Sequence, residues 1–97
     1  MIYHVITQHD WEKAQHQGYH EPASLELEGF IHASGEHQVA GVISRYYKDV
    51  QHLLLLHINE EKLTAELKFE LAPSVNEVFP HIFGRLNLDA IEKVSDV

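Results

Sequence analysis

Three histidines sit where an imidazole could bind a ligand or move a proton. His4 lies inside the apolar run Ile2-Tyr3-His4-Val5-Ile6, and His32 comes one alternation after Phe30 in Gly29-Phe30-Ile31-His32-Ala33-Ser34. A histidine among apolar neighbours near a strand end presents a hydrogen-bonding tip to a cavity, and its proton comes and goes close to neutral pH. His81 stands in Phe79-Pro80-His81-Ile82-Phe83-Gly84. There a proline restrains the residue before it, and with two aromatics and a glycine it makes a rigid loop that shows one imidazole. Taken singly, a histidine of this kind more often serves structure, and Phe79 and Phe83 read equally well as plugs of a core. The set of three predicts a shared, ligand-sized pocket.

Other chemistries find less support. Glu70 falls on the polar side of an alternating segment beside Glu66 and Lys68, where a solvated charge is the ordinary explanation. His16 and His20 are four apart, but Gly18 lies between them at an expected helix end, so they do not share a helical face. No segment matches a zinc signature, and with no cysteine there is no thiolate ligand, thiol nucleophile or disulfide. A metal site assembled from distant histidines stays open as an alternative, with no ligand set assigned to it. Ser24, Ser34 and Ser44 lack the Gly-x-Ser-x-Gly context of a nucleophile elbow, and Ser34 reads as a helix cap. There is neither a glycine-rich phosphate loop nor a dinucleotide fingerprint. Fifteen acidic residues against seven basic ones give a net charge of -8, and the basic residues are scattered, which argues against general nucleic-acid binding. The N-terminal segment lacks the charged and apolar regions of a leader, and Leu53–Leu56 is too short to cross a membrane. The expectation is a cytoplasmic protein with a small-molecule partner and no membrane association.

The elements that must position these residues read as a single α+β domain over residues 1–97, with a small mixed or antiparallel sheet and two main helices. Residues 2–6 form a first strand. Thr7 and Asp10 resemble a capping box, and Gly18 is a plausible stop for a helix over 10–17. The text then turns polar around Pro22, and a loop leads into a second strand ending at Ser34. From Ser34 a helix opens whose residues Val39, Val42, Ile43, Tyr46 and Tyr47 share one apolar face, which predicts core packing. Leu53–Ile58 is apolar except for His57, as in a central strand. Residues 66–71 alternate, with Leu67, Phe69 and Leu71 on one face. Pro73–Glu77 is a loop, and residues 89–94 make a last short strand.

The ordered set IYH, SLELEGFIHAS, a helix ending in Tyr46-Tyr47, LLLLHI, Phe69-Glu70 and FPHIFG resembles the bacterial domain-of-unknown-function 952 family over nearly the whole chain. The resemblance implies an α+β fold remotely similar to the catalytic domain of ADP-ribosyltransferases and RNA 2'-phosphotransferases. In that group a first-strand histidine binds a ribose hydroxyl of NAD, an aromatic stacks near the nicotinamide, and an acid on a late strand assists transfer. Carried over by position, this implies His4 and Glu70 as catalytic residues and NAD as the candidate cofactor. Expelling nicotinamide creates an oxocarbenium-like centre that a carboxylate stabilises. His32, Ser34, His81, Phe79, Phe83 and Tyr46 complete the expected ligand-binding set. The chain departs from the group in carrying His32 where an aromatic or small residue is common, and in offering no arginine pair for a pyrophosphate. Two function classes follow. One is an enzyme or former enzyme of this shape, a glycosyl- or phosphoribosyl-type transferase acting on NAD or a ribose phosphate. The other is a non-catalytic module in which the same histidines read a small polar or anionic metabolite and Glu70 is a surface charge.

Overall fold

The β-branched and aromatic residues at the start of the chain form strand β1 (Ile2–Thr7) in the computed structural model, which describes residues 1–97. Helix α1 (Gln8–Gln17) follows without a loop, because the Thr7 hydroxyl accepts from the Asp10 N–H at 3.2 Å and caps it. Gly18 ends it in the left-handed region, at φ 93, with its N–H donating to the Ala14 carbonyl.

After the two-residue strand β2 (Tyr19–His20), the expected loop contains a second helix, α2 (Ala23–Glu28). Proline at its N-cap and Gly29 at φ 89 after its last residue supply the start and stop that six residues need. The expected second strand shrinks to β3 (Ile31–His32). Ser34 is not a cap: it exchanges backbone hydrogen bonds with Tyr3 of β1, at 2.7 and 2.8 Å. A short 3-10 turn over Glu36–Gln38 leads into α3 (Val39–Tyr46) instead, and Gln38 fixes it. Its side-chain oxygen accepts from Gly35 N–H and its amide donates to the Val78 carbonyl.

Strand β4 (Leu53–Ile58) is central, as its apolar run predicts, with antiparallel partners β1 and β8 on either side. Strands β5 (Glu66–Ala72) and β6 (Glu77–Phe83) form a hairpin whose turn places Asn76 at φ 53. The expected loop around His81 is thus the inside of β6. A proline survives there because it lacks only the β3-side donor, while its carbonyl accepts from Ala33 N–H at 3.1 Å. Short strand β7 (Leu86–Asn87) pairs with β2, and β8 (Ile91–Asp96) closes the chain.

Two three-stranded antiparallel sheets result, β1-β4-β8 and β3-β6-β5, linked by the Tyr3–Ser34 bridge. One cluster of apolar side chains draws on both, with Ile2, Ile6, Leu56 and Ile58 from the first and Ile31 and Ile82 from the second. No residue of α3 is buried, so its apolar stripe is not core. No helix is long and apolar enough to cross a membrane.

Candidate functional site

A cleft of about 770 Å³ opens between the ends of β1 and β3, the start of α2 and the inner face of α3. The α3 stripe finds its use here: Val42, Tyr46 and Tyr47 form a wall of the cleft. Its half-exposed state follows from that position. Tyr47 is held by its hydroxyl donating to the Val5 carbonyl at 3.5 Å, and burial, then Asp10, pushes its phenol up.

On the floor, β1 turns His4 inward, and the side chain is 8% exposed. His4 Nδ1 lies 2.6 Å from the His32 carbonyl, so that nitrogen carries the proton and donates. Its Nε2 is then a lone-pair acceptor, 3.1 Å from His20 Nε2, which must donate. Burial, reinforced by His20, drives His4 from 6.5 to about 4, and burial drives His20 to about 4 as well. Both imidazoles are therefore neutral at pH 7, as the donor–acceptor chain requires. The chain ends at His20 Nδ1, which has no partner in the protein. Since no buried side-chain nitrogen or oxygen lacks a partner, this atom is open to solvent, and His20 is one of the residues that line the cleft.

The sheet β3-β6-β5 supplies a second pair. His32 and His81 face each other across the strands, with ring centroids 5.5 Å apart at 76°. His32 Nε2–H donates to Glu28 at 2.8 Å, and His81 Nδ1–H donates to Glu70 at 2.8 Å. Each carboxylate fixes which ring nitrogen is protonated and leaves the other for a ligand. Phe30 stacks on His81 at 3.9 Å and 17°, holding its plane.

Six of the eight residues expected from the sequence line this one cleft: His4, His32, Ser34, Tyr46, Phe79 and His81. Glu70 and Phe83 do not line it. Glu70 acts on the cleft only through His81, and Phe83 packs on Phe30 with centroids 5.5 Å apart. His20, Glu28, Phe30 and Tyr47 line the cleft as well and lie outside the expected site set. Among the cleft-lining side chains Asp10 and Glu28 are the charged ones, and no lysine or arginine is present. Nowhere in the chain do three His, Asp or Glu side chains gather as metal ligands would, which leaves the distant-histidine metal site without a ligand set.

The family described as "Protein of unknown function (DUF952)" matches residues 5–94. The crystal structure of protein CC0527 from Caulobacter crescentus is similar at TM-score 0.88 and 28% identity, over 98% of this chain and 83% of that one. The solution NMR structure of CC0527 is similar at TM-score 0.83 and 28% identity, over 99% of this chain and 83% of that one. No curated protein matches.

Proposed function

The chain belongs to this family of proteins of unknown function, and from that premise we propose that its cleft binds a phosphate-free nucleoside, with the sugar toward the histidines and the base toward Tyr46. The observation that carries this is the charge of the lining, which has two carboxylates and no lysine or arginine. A phosphate brought into a half-enclosed cleft loses hydration that only cationic or well-aimed donors restore. A ribose hydroxyl needs no cation. The imidazoles offer it His20 Nδ1, His32 Nδ1 and His81 Nε2, and the tyrosine wall suits a planar base. The ADP-ribosyltransferase resemblance supports the same ligand class, since it implies a cleft for the nicotinamide-ribose end of NAD. It also implies that His4 grips the ribose. With both His4 nitrogens bonded within the protein, that grip passes to His20, which His4 orients.

The test is a titration with nicotinamide riboside and with its 5'-phosphate, followed by the imidazole NMR signals of His20 and His32. The riboside is expected to shift both signals in the millimolar range, and the phosphate to weaken binding at least about tenfold. No shift with either compound, or tighter binding of the phosphate, overturns the reading. Group transfer is a second reading, favoured by the two carboxylate-oriented imidazoles at the site. It requires that the ribose C1' of NAD or the riboside exchange its bond to nicotinamide for one to the oxygen of a water molecule, which gives up a proton as nicotinamide leaves. It also requires that Glu70→Gln slow this while binding survives. Absence of release with saturating riboside removes it.

A further inference from the structure

Strand β5 is the outer strand of its sheet and has β6 as its sole neighbour there. It runs seven residues without proline, and it leaves Phe69 and Leu71 58% and 56% exposed. Val78, opposite Leu71, is 51% exposed. An unpaired edge of this length is a template for another strand, and chains that remain single blunt it with charges, a bulge, a proline or a covering loop. The charges of β5, Glu66, Lys68 and Glu70, are of both signs and so can pair as well as repel. We propose that β5 pairs antiparallel with β5 of a second copy of this chain, with Phe69 on the two-fold axis.

The backbone decides which residues can meet. The Pro80 carbonyl accepts from Ala33 on β3, so Pro80 turns its polar backbone groups away from β5. Its cross-strand neighbour Phe69 is therefore in a non-hydrogen-bonded pair, with its N–H and C=O directed at the free edge. By alternation Leu67 and Leu71 point the same way. A second β5 must bond to these three residues, and a two-fold axis allows centres at Lys68, Phe69 or Glu70. An axis between residues would set outward groups against inward ones.

Charge separates the three. Centred on Lys68, the pairing sets ammonium opposite ammonium, and Glu66 opposite the partner's Glu70. Centred on Glu70, it sets carboxylate opposite carboxylate. Centred on Phe69, it sets Lys68 opposite the partner's Glu70 on both sides of the axis, Phe69 opposite its copy, and Leu67 opposite the partner's Leu71. Opposite charges directly across strands attract and like charges repel. Glu70 can serve both roles, since Oε1 accepts from His81 and the second oxygen is free for a cation. The result is one continuous six-stranded sheet across an isologous interface, with the exposed Phe69 and Leu71 covered.

Analytical ultracentrifugation of the full chain, from micromolar to millimolar concentration, tests this. The wild-type chain is expected to form a concentration-dependent dimer. Phe69→Pro is expected to be monomeric with an unchanged circular-dichroism spectrum, because the Phe69 N–H takes no part in the β5–β6 ladder. Lys68→Glu sets carboxylates opposite one another and should raise the dimer Kd at least about tenfold. Adding Glu70→Lys to it should restore association. A chain monomeric throughout the range overturns the proposal, as does a dimer that Phe69→Pro or Lys68→Glu leaves unchanged. A folded double variant that stays monomeric overturns the register.

Discussion

An imidazole has two ring nitrogens, and what each is bonded to decides what the residue can do. In His4 both are taken by the protein, one donating to the His32 carbonyl and one accepting from His20. His81 and His32 each give one nitrogen to a carboxylate, and the other has no partner in the protein. The burial of His4 was legible from its apolar neighbours. Its saturation was not, because the partner, His20, sits in a two-residue strand with no periodicity to mark it and across a glycine that hides its spacing from His16. Glu70 also reads differently once its partner is known: its polar-face position is right, but it faces an imidazole on the next strand. These environments give opposite expectations for loss of a partner. His20→Ala leaves the His4 Nε2 lone pair buried and unmatched, which costs about 1–3 kcal/mol before any cavity is counted. Glu70→Gln keeps an acceptor oxygen for His81 at a side chain 44% exposed, and a pair this open contributes less than about 1 kcal/mol. Urea denaturation of the two variants should therefore rank His20→Ala as clearly the more damaging. Equal losses, or the reverse order, would mean that the His4–His20 bond is not held in solution.

At the scale of elements, the long periodic segments announced themselves and the short ones did not. The runs read at 2–6, 53–58 and 66–71 are strands, the first and last one residue longer than read, since each is long enough for a period to appear. Helix α2 is not legible in the sequence because six residues with one leucine pair carry no resolvable stripe, although a proline stands before it and a glycine after it. The proline in β6 argued for a loop, and only the identity of the neighbouring strand shows that its missing donor faces β3. Helix α3 gives the most useful discrepancy. An apolar stripe at helical spacing means only that the face avoids water, and a cleft wall satisfies that as well as a core does. The two cases differ in energy. Ile82 is fully buried in the central strand of its sheet, so Ile82→Ala should cost about 2–5 kcal/mol through lost transfer energy and a cavity. Val42 is half-buried on the cleft, so Val42→Ala should cost less than about 1 kcal/mol. It should instead change the affinity of whatever the cleft holds. Thermal melts of both variants check the contrast, and a Val42→Ala loss as large as that of Ile82→Ala would return α3 to the core.

For the molecule as a whole, the buried histidine pair ties folding to pH. In the folded state His4 and His20 titrate at about 4, lowered by burial, with His20, His32 and Asp10 adding charge effects on His4. In the unfolded chain both return to the ordinary 6.5. Above that pH neither state binds the proton and the pair has no effect on stability. Between 6.5 and about 4 the unfolded chain holds protons that the folded chain does not, so protons favour unfolding and stability falls as pH falls. The slope is about 1.4 kcal/mol per pH unit for each imidazole, or about 2 kcal/mol each at about pH 5. Against a total stability of about 5–15 kcal/mol for a domain, this is a large share. The net charge of -8 at pH 7 shrinks over the same interval, because the sequence pI is about 5.5, so association competes with unfolding and dilute protein is needed. His20→Gln removes one of the two buried imidazoles and leaves every other titrating group in place. Comparing urea midpoints at pH 7 and pH 5 for the wild type and for His20→Gln therefore isolates the buried pair. The wild type is expected to lose stability steeply and the variant to lose it less steeply. Parallel losses in the two chains would show that the pair takes up its protons without unfolding, and that the chain of bonds from the His32 carbonyl to His20 opens in mild acid.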